Sequence, residues 1–216
     1  MLILNLIQNP LYFAAFIVAL LIGITIHEFA HAWVANRCGD PTARLDGRIS
    51  LNPLVHLDPL GTIFLFLAGF GWGKPVMINP RNFHKRSDEL KVAFAGIVAN
   101  IMLALLLAIP IRIALLQGHV IESSVFLSFL NIIVDINLVL ATFNLIPIFP
   151  LDGSHLVEYF LEDEGARASY QAIGPYLLFG LIIFGRLSGN SILFTIMEPL
   201  LRLLSFLVKG TFAFTL

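Results

Sequence analysis

The sequence predicts an all-α polytopic membrane protein with about five transmembrane helices, one re-entrant segment and short β-like extended segments. Three observations predict this fold class. Of the 216 residues, 58% are hydrophobic and only 12% are charged, and the mean hydropathy is +0.89, unlike a soluble domain. Long apolar runs recur at lengths that suit a bilayer. No long linker or repeat divides the chain, so we expect one membrane-embedded domain over residues 1–216.

The first predicted transmembrane helix covers Leu11 to about Asn36, and it carries no charge before His27. The preceding residues hold no Lys or Arg, and no small-residue cleavage site follows. We therefore predict that this helix stays in the protein and is not a removable signal peptide. Further apolar runs predict the remaining spans, which are about Val92–Leu116, Val125–Phe149, Tyr170–Phe184 and Ile192–Val208.

A shorter apolar run, Leu60–Gly71, has only about a dozen residues, whereas a spanning helix needs about 20. We therefore predict that this run is re-entrant. The polar stretches on either side of it, residues 44–54 and 72–83, contain Gly or Pro and favour short extended segments. Lipid offers no hydrogen-bond partners, so such backbone has to be satisfied within the protein.

The distribution of Lys and Arg predicts the topology in the cell membrane. Residues 37–91 hold eight of the thirteen, and the connection at 117–124 has none. If the short run does not cross, the basic region lies on one side, which the positive-inside rule makes cytoplasmic. The net charge of −1 gives no case for nucleic acid as a partner. The one cysteine, Cys38, excludes an internal disulfide and is expected to pack in the interior.

The strongest candidate for chemistry is His27-Glu28-Phe29-Ala30-His31, at the end of the first apolar run. Helical spacing of four places both imidazoles on one face, where they can reach a single ion. The intervening Glu28 is then free to act on a metal-bound water, as in zinc metalloproteases. Two histidines satisfied in a helix bundle are the alternative, but an unpartnered buried Glu28 would be costly there.

A catalytic zinc site needs a third protein ligand, and Asp152 is the candidate. The third predicted span ends with Pro147 and Pro150, which break the helix, and Gly153 permits a sharp turn. Asp152 therefore lies on backbone that has left helical geometry. An N-cap of the following helix is the alternative, and the two roles are compatible. With the short run re-entrant, His27 and Asp152 end at the same membrane face.

These motifs resemble the site-2 protease family of intramembrane zinc metalloproteases, in a compact form without a PDZ or CBS domain. The resemblance rests on motifs in order along the chain, and these are His27-Glu28-x-x-His31, Gly96-x-x-x-Asn100, and Asn144 followed by Pro147 and Leu151-Asp152-Gly153. It implies one Zn²⁺ per chain with three ligands, His27, His31 and Asp152. It further implies Glu28 as catalytic base and Asn144 as a residue that engages the substrate carbonyl or the oxyanion.

The resemblance covers about residues 15–160 and departs from many members at Ile97, where they have proline. With it, the sequence predicts a catalytic core at about 11–160 and C-terminal helices at about 168–210. The predicted function is hydrolysis of peptide bonds in or near transmembrane segments of membrane proteins, on the cytoplasmic side of the bilayer. Any regulation would come from membrane partners. The alternative is a zinc-binding transporter or scaffold, but such a protein has no need of a base like Glu28.

An intramembrane protease needs an edge on which an unwound substrate can pair, and the segments at 44–54 and 72–83 are candidates for this edge. Asn100 and Asn144 have comparable depth on antiparallel spans and are predicted to bond to each other. Asp135 lies within a span and is predicted to pair with Arg112.

His56 and Asp58 could approach the site, although the favoured interpretation is that Asp58 caps a helix with Pro59 at its first position. The acidic residues that follow the third span predict a solvated cytoplasmic surface. These are Glu158, Glu162, Asp163 and Glu164.

Overall fold

The computed structural model describes residues 10–68, 71–121, 124–189 and 191–212, and most of these residues are helical, as predicted. In chain order the helices are α1 (Pro10–Arg37), α2 (Thr42–Leu45), α3 (Pro59–Ala68), α4 (Ser87–Leu107), α5 (Ile109–Leu116), α6 (Val125–Asn144), α7 (Ser154–Phe160), α8 (Glu164–Ser188) and α9 (Ile192–Lys209). Short 3₁₀ turns occur at Pro53–Val55 and Pro80–Asn82.

Within the described residues, four helical stretches are long and apolar enough to cross a membrane. They are Pro10–Arg37, Ser87–Leu116, Val125–Asn144 and Glu164–Ser188. The predicted number of five spans is not confirmed, because α9 carries Glu198, Arg202 and Lys209 in its short length. The third span ends at Asn144, earlier than predicted, since Pro147 cannot continue the helix.

Helices α1, α4 and α6 pack pairwise against one another and form the centre of the fold. Gly23 of α1 lies close to Leu140 and Asn137 of α6, so that a side chain at this glycine would collide with Leu140. Helix α9 packs on α6, and α7 packs on α4. This arrangement brings the C-terminal half of α1, the N-terminal half of α4 and the segment after α6 together.

The short apolar run forms α3, whose length is too small to cross a bilayer as a helix. Its last two predicted residues before Gly71 lie outside the described residues. The Asp58 side chain accepts a hydrogen bond from the Gly61 backbone N–H at 2.7 Å, so the predicted helix cap is confirmed. That this run re-enters the membrane remains a prediction.

The flanking segments are non-helical only in part. Arg44 and Leu45 belong to α2, so the prediction of an extended segment from residue 44 is wrong. Residues 72–79 are non-helical, as predicted, whereas Pro80–Asn82 near the end of the predicted extended segment at 72–83 form a 3₁₀ turn. Among the described residues, the pairing of these segments is limited to an antiparallel bridge between Leu57 and Gly73, and the Lys74 N–H donates to the His56 carbonyl at 2.8 Å. The predicted β-like character is therefore confined to one short bridge.

The predicted pair of Asp135 and Arg112 is wrong. Asp135 is fully buried and contacts the Lys209 Nζ at 2.6 Å, and this amine also donates to the Asn131 Oδ1 at 3.1 Å. The Arg112 guanidinium instead donates to the Leu207 carbonyl at 3.1 Å, near the C-terminus of α9. A buried carboxylate requires a close cationic partner. The position of α9 therefore decides which basic side chain contacts Asp135.

The predicted acidic surface is wrong at Glu158, which is 4% exposed on the packed side of α7. The other members of that set are exposed as predicted, and these are Glu162, Asp163 and Glu164. Cys38 is buried in a small cluster with Ala35 and Val92, which confirms that it packs in the interior.

Candidate active site

The polar end of α1 provides two of the three side chains that meet in the candidate metal centre. His27 and His31 lie one helical turn apart and are both buried. Their rings meet edge to face with centroids 4.6 Å apart, and their Nε2 atoms are 3.0 Å apart. The spacing of four residues therefore brings the two imidazoles together on one face, as predicted.

Asp152 reaches the same point from the segment after α6. The chain turns back there, because the Gly153 N–H donates to the Asn144 carbonyl at 2.7 Å. A side chain at Gly153 would collide with the Leu145 carbonyl, so this turn requires glycine. The Asp152 Oδ2 lies 3.0 Å from the His27 Nε2. Its side chain gives no capping bond to α7, whose N-cap is Gly153, so the N-cap interpretation is wrong.

The hydrogen bonds of the two rings define where their lone pairs point. The His31 Nδ1 is 2.7 Å from the Val92 carbonyl, which can only accept, so this nitrogen carries the proton. The His27 Nδ1 faces the Asn100 Oδ1 at 3.3 Å in the same way. In neutral imidazoles both Nε2 atoms then present lone pairs towards the Asp152 carboxylate. Such partners on the far ring nitrogen are the usual support of metal-binding histidines.

Three electron-pair donors therefore face one another at short range. The Asp152 Oδ2 is 3.3 Å from the His31 Nε2, yet it is buried and receives no well-directed hydrogen bond from the described residues. This arrangement is unfavourable without a cation between the atoms. Two ligands at about 2.0–2.1 Å from a tetrahedral zinc ion lie about 3.3 Å apart, so the observed spacing of 3.0 to 3.3 Å fits Zn²⁺.

Asn100 and Asn144 do not bond to each other, and that prediction is wrong. Asn100 is fully buried beside His27, whereas the Asn144 Nδ2 donates to the Leu140 carbonyl of its own helix at 2.9 Å. The face of α4 that carries Asn100 turns towards α1, because Gly96 one turn earlier allows the helices to approach closely. A Cβ at Gly96 would lie 2.5 Å from both the His27 Cε1 and the His31 Nε2.

Glu28 lies beside the histidines, with a side chain that is 15% exposed. Its Oε2 is 4.0 Å from an Nη2 of Arg48, which is itself buried. Arg48 also donates to the Val55 carbonyl at 2.9 Å and to the Lys74 carbonyl, so it holds both polar segments next to Glu28. Arg48 was not expected here, because its place in the sequence marks it only as one of the basic residues of a loop.

His56 does not join the candidate site. Its Nε2 is 2.8 Å from the Ser50 carbonyl, and its ring is fully buried within the loop that precedes α3. Asp58 caps α3, so His56 and Asp58 both have structural roles.

Comparison with known proteins also indicates a zinc metalloprotease. Residues 15–112 and 107–185 match the sequence profile described as Peptidase family M50. "Putative zinc metalloprotease YwhC" of Bacillus subtilis is 38% identical over 207 residues, which cover 86% of this chain and 93% of that protein. Rip2 of Mycobacterium tuberculosis, described in the same words, is 33% identical over 189 residues, with coverages of 82% and 70%.

A more distant relative is "Zinc metalloprotease MJ0392" of Methanocaldococcus jannaschii, 24% identical over 194 residues that cover 88% of this chain and 48% of that protein. No solved structure matches the chain. The family match extends over most of the sequence and over all the spans that meet at the histidines. The chain therefore belongs to Peptidase family M50, the site-2 proteases, and is a multi-pass membrane zinc metalloprotease.

Proposed function

We propose that this zinc metalloprotease hydrolyses peptide bonds in or near the transmembrane segments of other membrane proteins, as in regulated intramembrane proteolysis. One observation carries the proposal. Three donor atoms, from His27, His31 and Asp152, lie within 3.3 Å of one another at the polar end of a helix long enough to span a bilayer. A site in this position is accessible to substrates that are themselves in the membrane.

We assign His27, His31 and Asp152 as the ligands of one Zn²⁺ per chain. A Zn²⁺ ion held by these residues would lower the pKa of a bound water to about 7 and would polarise the scissile carbonyl. Glu28 would accept a proton from the attacking water and later donate it to the leaving amine. The assignment of the ligands rests on the three electron-pair donors that face one another. The assignment of the base rests on the position of Glu28 beside His27 and His31.

Asn144 is assigned to the oxyanion. Asn144 is the last residue of α6, and the turn that follows leads to Asp152. The N–H of its side-chain amide is a donor of the type that stabilises developing negative charge. In the structure this amide donates a hydrogen bond to the Leu140 carbonyl. The assignment therefore requires the amide to break that bond and to donate to the substrate instead. Such a donor is typically worth about 3 kcal/mol in the transition state.

The catalytic unit proposed here is a single membrane-embedded domain with its core at about residues 11–160. The side chains assigned to the chemistry all come from α1 and from the end of α6 and the turn after it. The helices at about 168–210 pack against this core. We place the site towards the cytoplasmic face of the cell membrane, on the basis of the basic loops that flank it. Regulatory partners, if the protein has them, are separate membrane proteins.

The decisive experiment replaces the proposed base. We expect E28A to retain the zinc ion assigned to His27, His31 and Asp152 and to lose cleavage by at least about 100-fold, because a general base contributes factors of about 10² to 10⁴. The measurement is cleavage of a panel of single-span substrates in proteoliposomes, with metal analysis of the same preparations. E162A, which changes an exposed acid away from the site, is the matched control. Equal cleavage by E28A and wild type would refute the assignment of the base.

A second experiment concerns the substrate edge. Residues 72–79 are non-helical, and Gly73 lies next to the Glu28 Oε1, so this segment is placed to pair with an extended peptide. We expect M77P, at an exposed position of this segment, to lose cleavage while zinc is retained. The control M77A keeps the backbone donor and is expected to cleave normally. Normal cleavage by M77P would remove this segment from the substrate site.

A further inference from the structure

A second cluster of metal-ligating side chains lies where α7 packs against the first turn of α4. It is formed by Glu89 on α4 and by His155 and Glu158, which are one turn apart on α7. One ligand atom from each of the three residues lies within 4.8 Å of the other two. We propose that this cluster, termed the α4–α7 cluster, binds a divalent transition-metal ion separate from that of the candidate active site.

The burial of Glu158 is the first argument for a bound cation. Its side chain is only 6% exposed, and its Oε1 is buried without a hydrogen bond from any described residue. An ionised carboxylate in this position is costly unless a cation lies against it. The structure provides His155 at 3.8 Å but no Lys or Arg within ion-pair distance among the residues it describes.

The spacing of the ligand atoms is the second argument. The His155 Nδ1 is 3.8 Å from the Glu89 Oε1 and 3.8 Å from the Glu158 Oε2, and it is buried without a hydrogen bond within the described part of the chain. A direct N–H to carboxylate bond would be about 2.7–2.9 Å long. The three groups thus converge without satisfying one another. Two ligands of a tetrahedral ion lie about 3.3–3.6 Å apart, so small side-chain shifts admit one.

The neighbouring arginines form no ion pair with these carboxylates within the described residues. Arg167 donates to the Glu158 and Leu161 carbonyls at 3.0 and 2.9 Å, and Arg86 donates to the Tyr159 carbonyl at 2.6 Å. Both guanidinium groups are therefore directed at main-chain oxygens around the end of α7. The acids raise the pKa of His155, first through its contact with Glu89, so a metal ion bound there has to displace the imidazole proton.

The ligand set defines the class of ion. One imidazole with two carboxylates suits Zn²⁺ or Mn²⁺, whereas Ca²⁺ and Mg²⁺ prefer oxygen ligands alone. The side chains of Glu89 and His155 are 27% and 37% exposed, so an ion can enter from solvent and keep water as a further ligand. Bound there, it would connect the first turn of α4 to the helix that follows Asp152.

Metal titration of the full-length protein tests the proposal. Metal-stripped protein in detergent is dialysed against Co²⁺ or Zn²⁺, and bound metal is counted and followed by Co²⁺ absorption. We expect two equivalents for wild type and one for E89Q, which changes a partly exposed ligand and leaves the fold intact. The exposed neighbour Glu162 supplies the control E162Q, which should still bind two. Ca²⁺ and Mg²⁺ in excess should not displace the second equivalent.

A further variant separates this cluster from the candidate active site. H31A removes a proposed active-site ligand, so it should lose the other equivalent and keep the one that E89Q abolishes. One equivalent in wild type that H31A abolishes and E89Q retains would overturn the proposal, because His155 would then hold only a proton between the acids. Two equivalents in E89Q would overturn it as well. Neither result bears on the protease assignment, which is tested by E28A.

Discussion

At the scale of single residues, the candidate site depends on a glycine as much as on its ligands. Gly96 has no side chain, and this permits α4 to lie directly against the two imidazoles. The sequence motif contained Gly96 and Asn100 at helical spacing, but periodicity alone could not show which helix they face. The hydrogen bond of Asn100 to His27 became visible only when the packing of α1 on α4 was known.

We predict that G96A abolishes zinc binding at His27, His31 and Asp152 and abolishes cleavage with it. The added methyl would lie 2.5–2.6 Å from atoms of both histidine rings, which is too close for a carbon atom. Either α4 or the two imidazoles would have to shift, and either shift would disturb the proposed metal ligands. Metal analysis and substrate cleavage measure the effect. G180A on α8, where nothing lies within 4 Å of the new methyl, is the matched control and should retain both. Full zinc occupancy in G96A would contradict this account of the helix contact.

Asp40 organises the loop after α1 and provides a pH-dependent prediction. Its buried carboxylate accepts hydrogen bonds from the Asn79 N–H at 2.7 Å, the Asn82 side chain at 2.9 Å and Thr42. Burial raises the pKa of Asp40, but the hydrogen bonds from Thr42, Asn82 and Asn79 outweigh it, and the pKa is lowered overall. The folded state therefore favours the ionised form of this carboxyl.

The stability contributed by Asp40 is accordingly present above its unfolded pKa of about 3.9 and is lost as the pH falls through the lower folded value. We expect D40N to be less stable than wild type by about 1–3 kcal/mol at pH 7, with the difference shrinking below about pH 4. Thermal unfolding in detergent across this pH range measures it. D46N, at an exposed position, is the control and should show no such trend. A constant difference at all pH values would contradict the role of ionised Asp40.

At the scale of helices, the apolar runs predicted the positions of the four helical stretches that are long and apolar enough to cross a membrane, whereas the fifth predicted span, α9, is not among them. The ends were less well predicted, since α4 begins at Ser87 rather than Val92 and α6 ends at Asn144 rather than Phe149. Interactions between helices were less predictable. Arg112 was predicted as the partner of Asp135, and the sequence does not show that α9 packs on α6 and brings Lys209 to this carboxylate. Glu158 looked solvated for the same reason, since the face of a short helix is chosen by its neighbour.

We predict that the buried pair of Asp135 and Lys209 fixes α9 against α6. Lys209 is 1% exposed, and K209M removes the cation that contacts the buried Asp135 carboxylate at 2.6 Å, so it should destabilise the protein by about 3–5 kcal/mol. The double variant K209M/D135L should recover most of this loss, because it removes both charges together. Thermal unfolding in detergent gives the comparison. A double variant less stable than K209M alone would show that the pair is not coupled in this way.

At the scale of the whole molecule, topology remains the main prediction from the sequence. If α3 does not cross, the loop before α3 and the loop before α4 lie on the same side of the membrane, and the loop after α5 lies on the other. Cysteines at Asp46, Lys85 and Gln117 are each introduced in a C38A background and treated with an impermeant thiol reagent. The cysteines at Asp46 and Lys85 should react from one side and the cysteine at Gln117 from the other. All three positions are exposed. Gln117 is preferable to Gly118, whose φ of +78° favours glycine. Labelling at Asp46 and Lys85 from opposite sides would overturn the re-entrant arrangement.

The separation of the proposed ligands along the chain has a consequence for biosynthesis. His27 and His31 are made early and Asp152 much later, and their meeting requires α1, α4 and α6 to be assembled. A nascent chain therefore holds the proposed base and two of the proposed ligands before the third proposed ligand has been synthesised. The enzyme is expected to stay inactive during its own insertion, so that its neighbours in the translocation machinery are protected until the fold is complete.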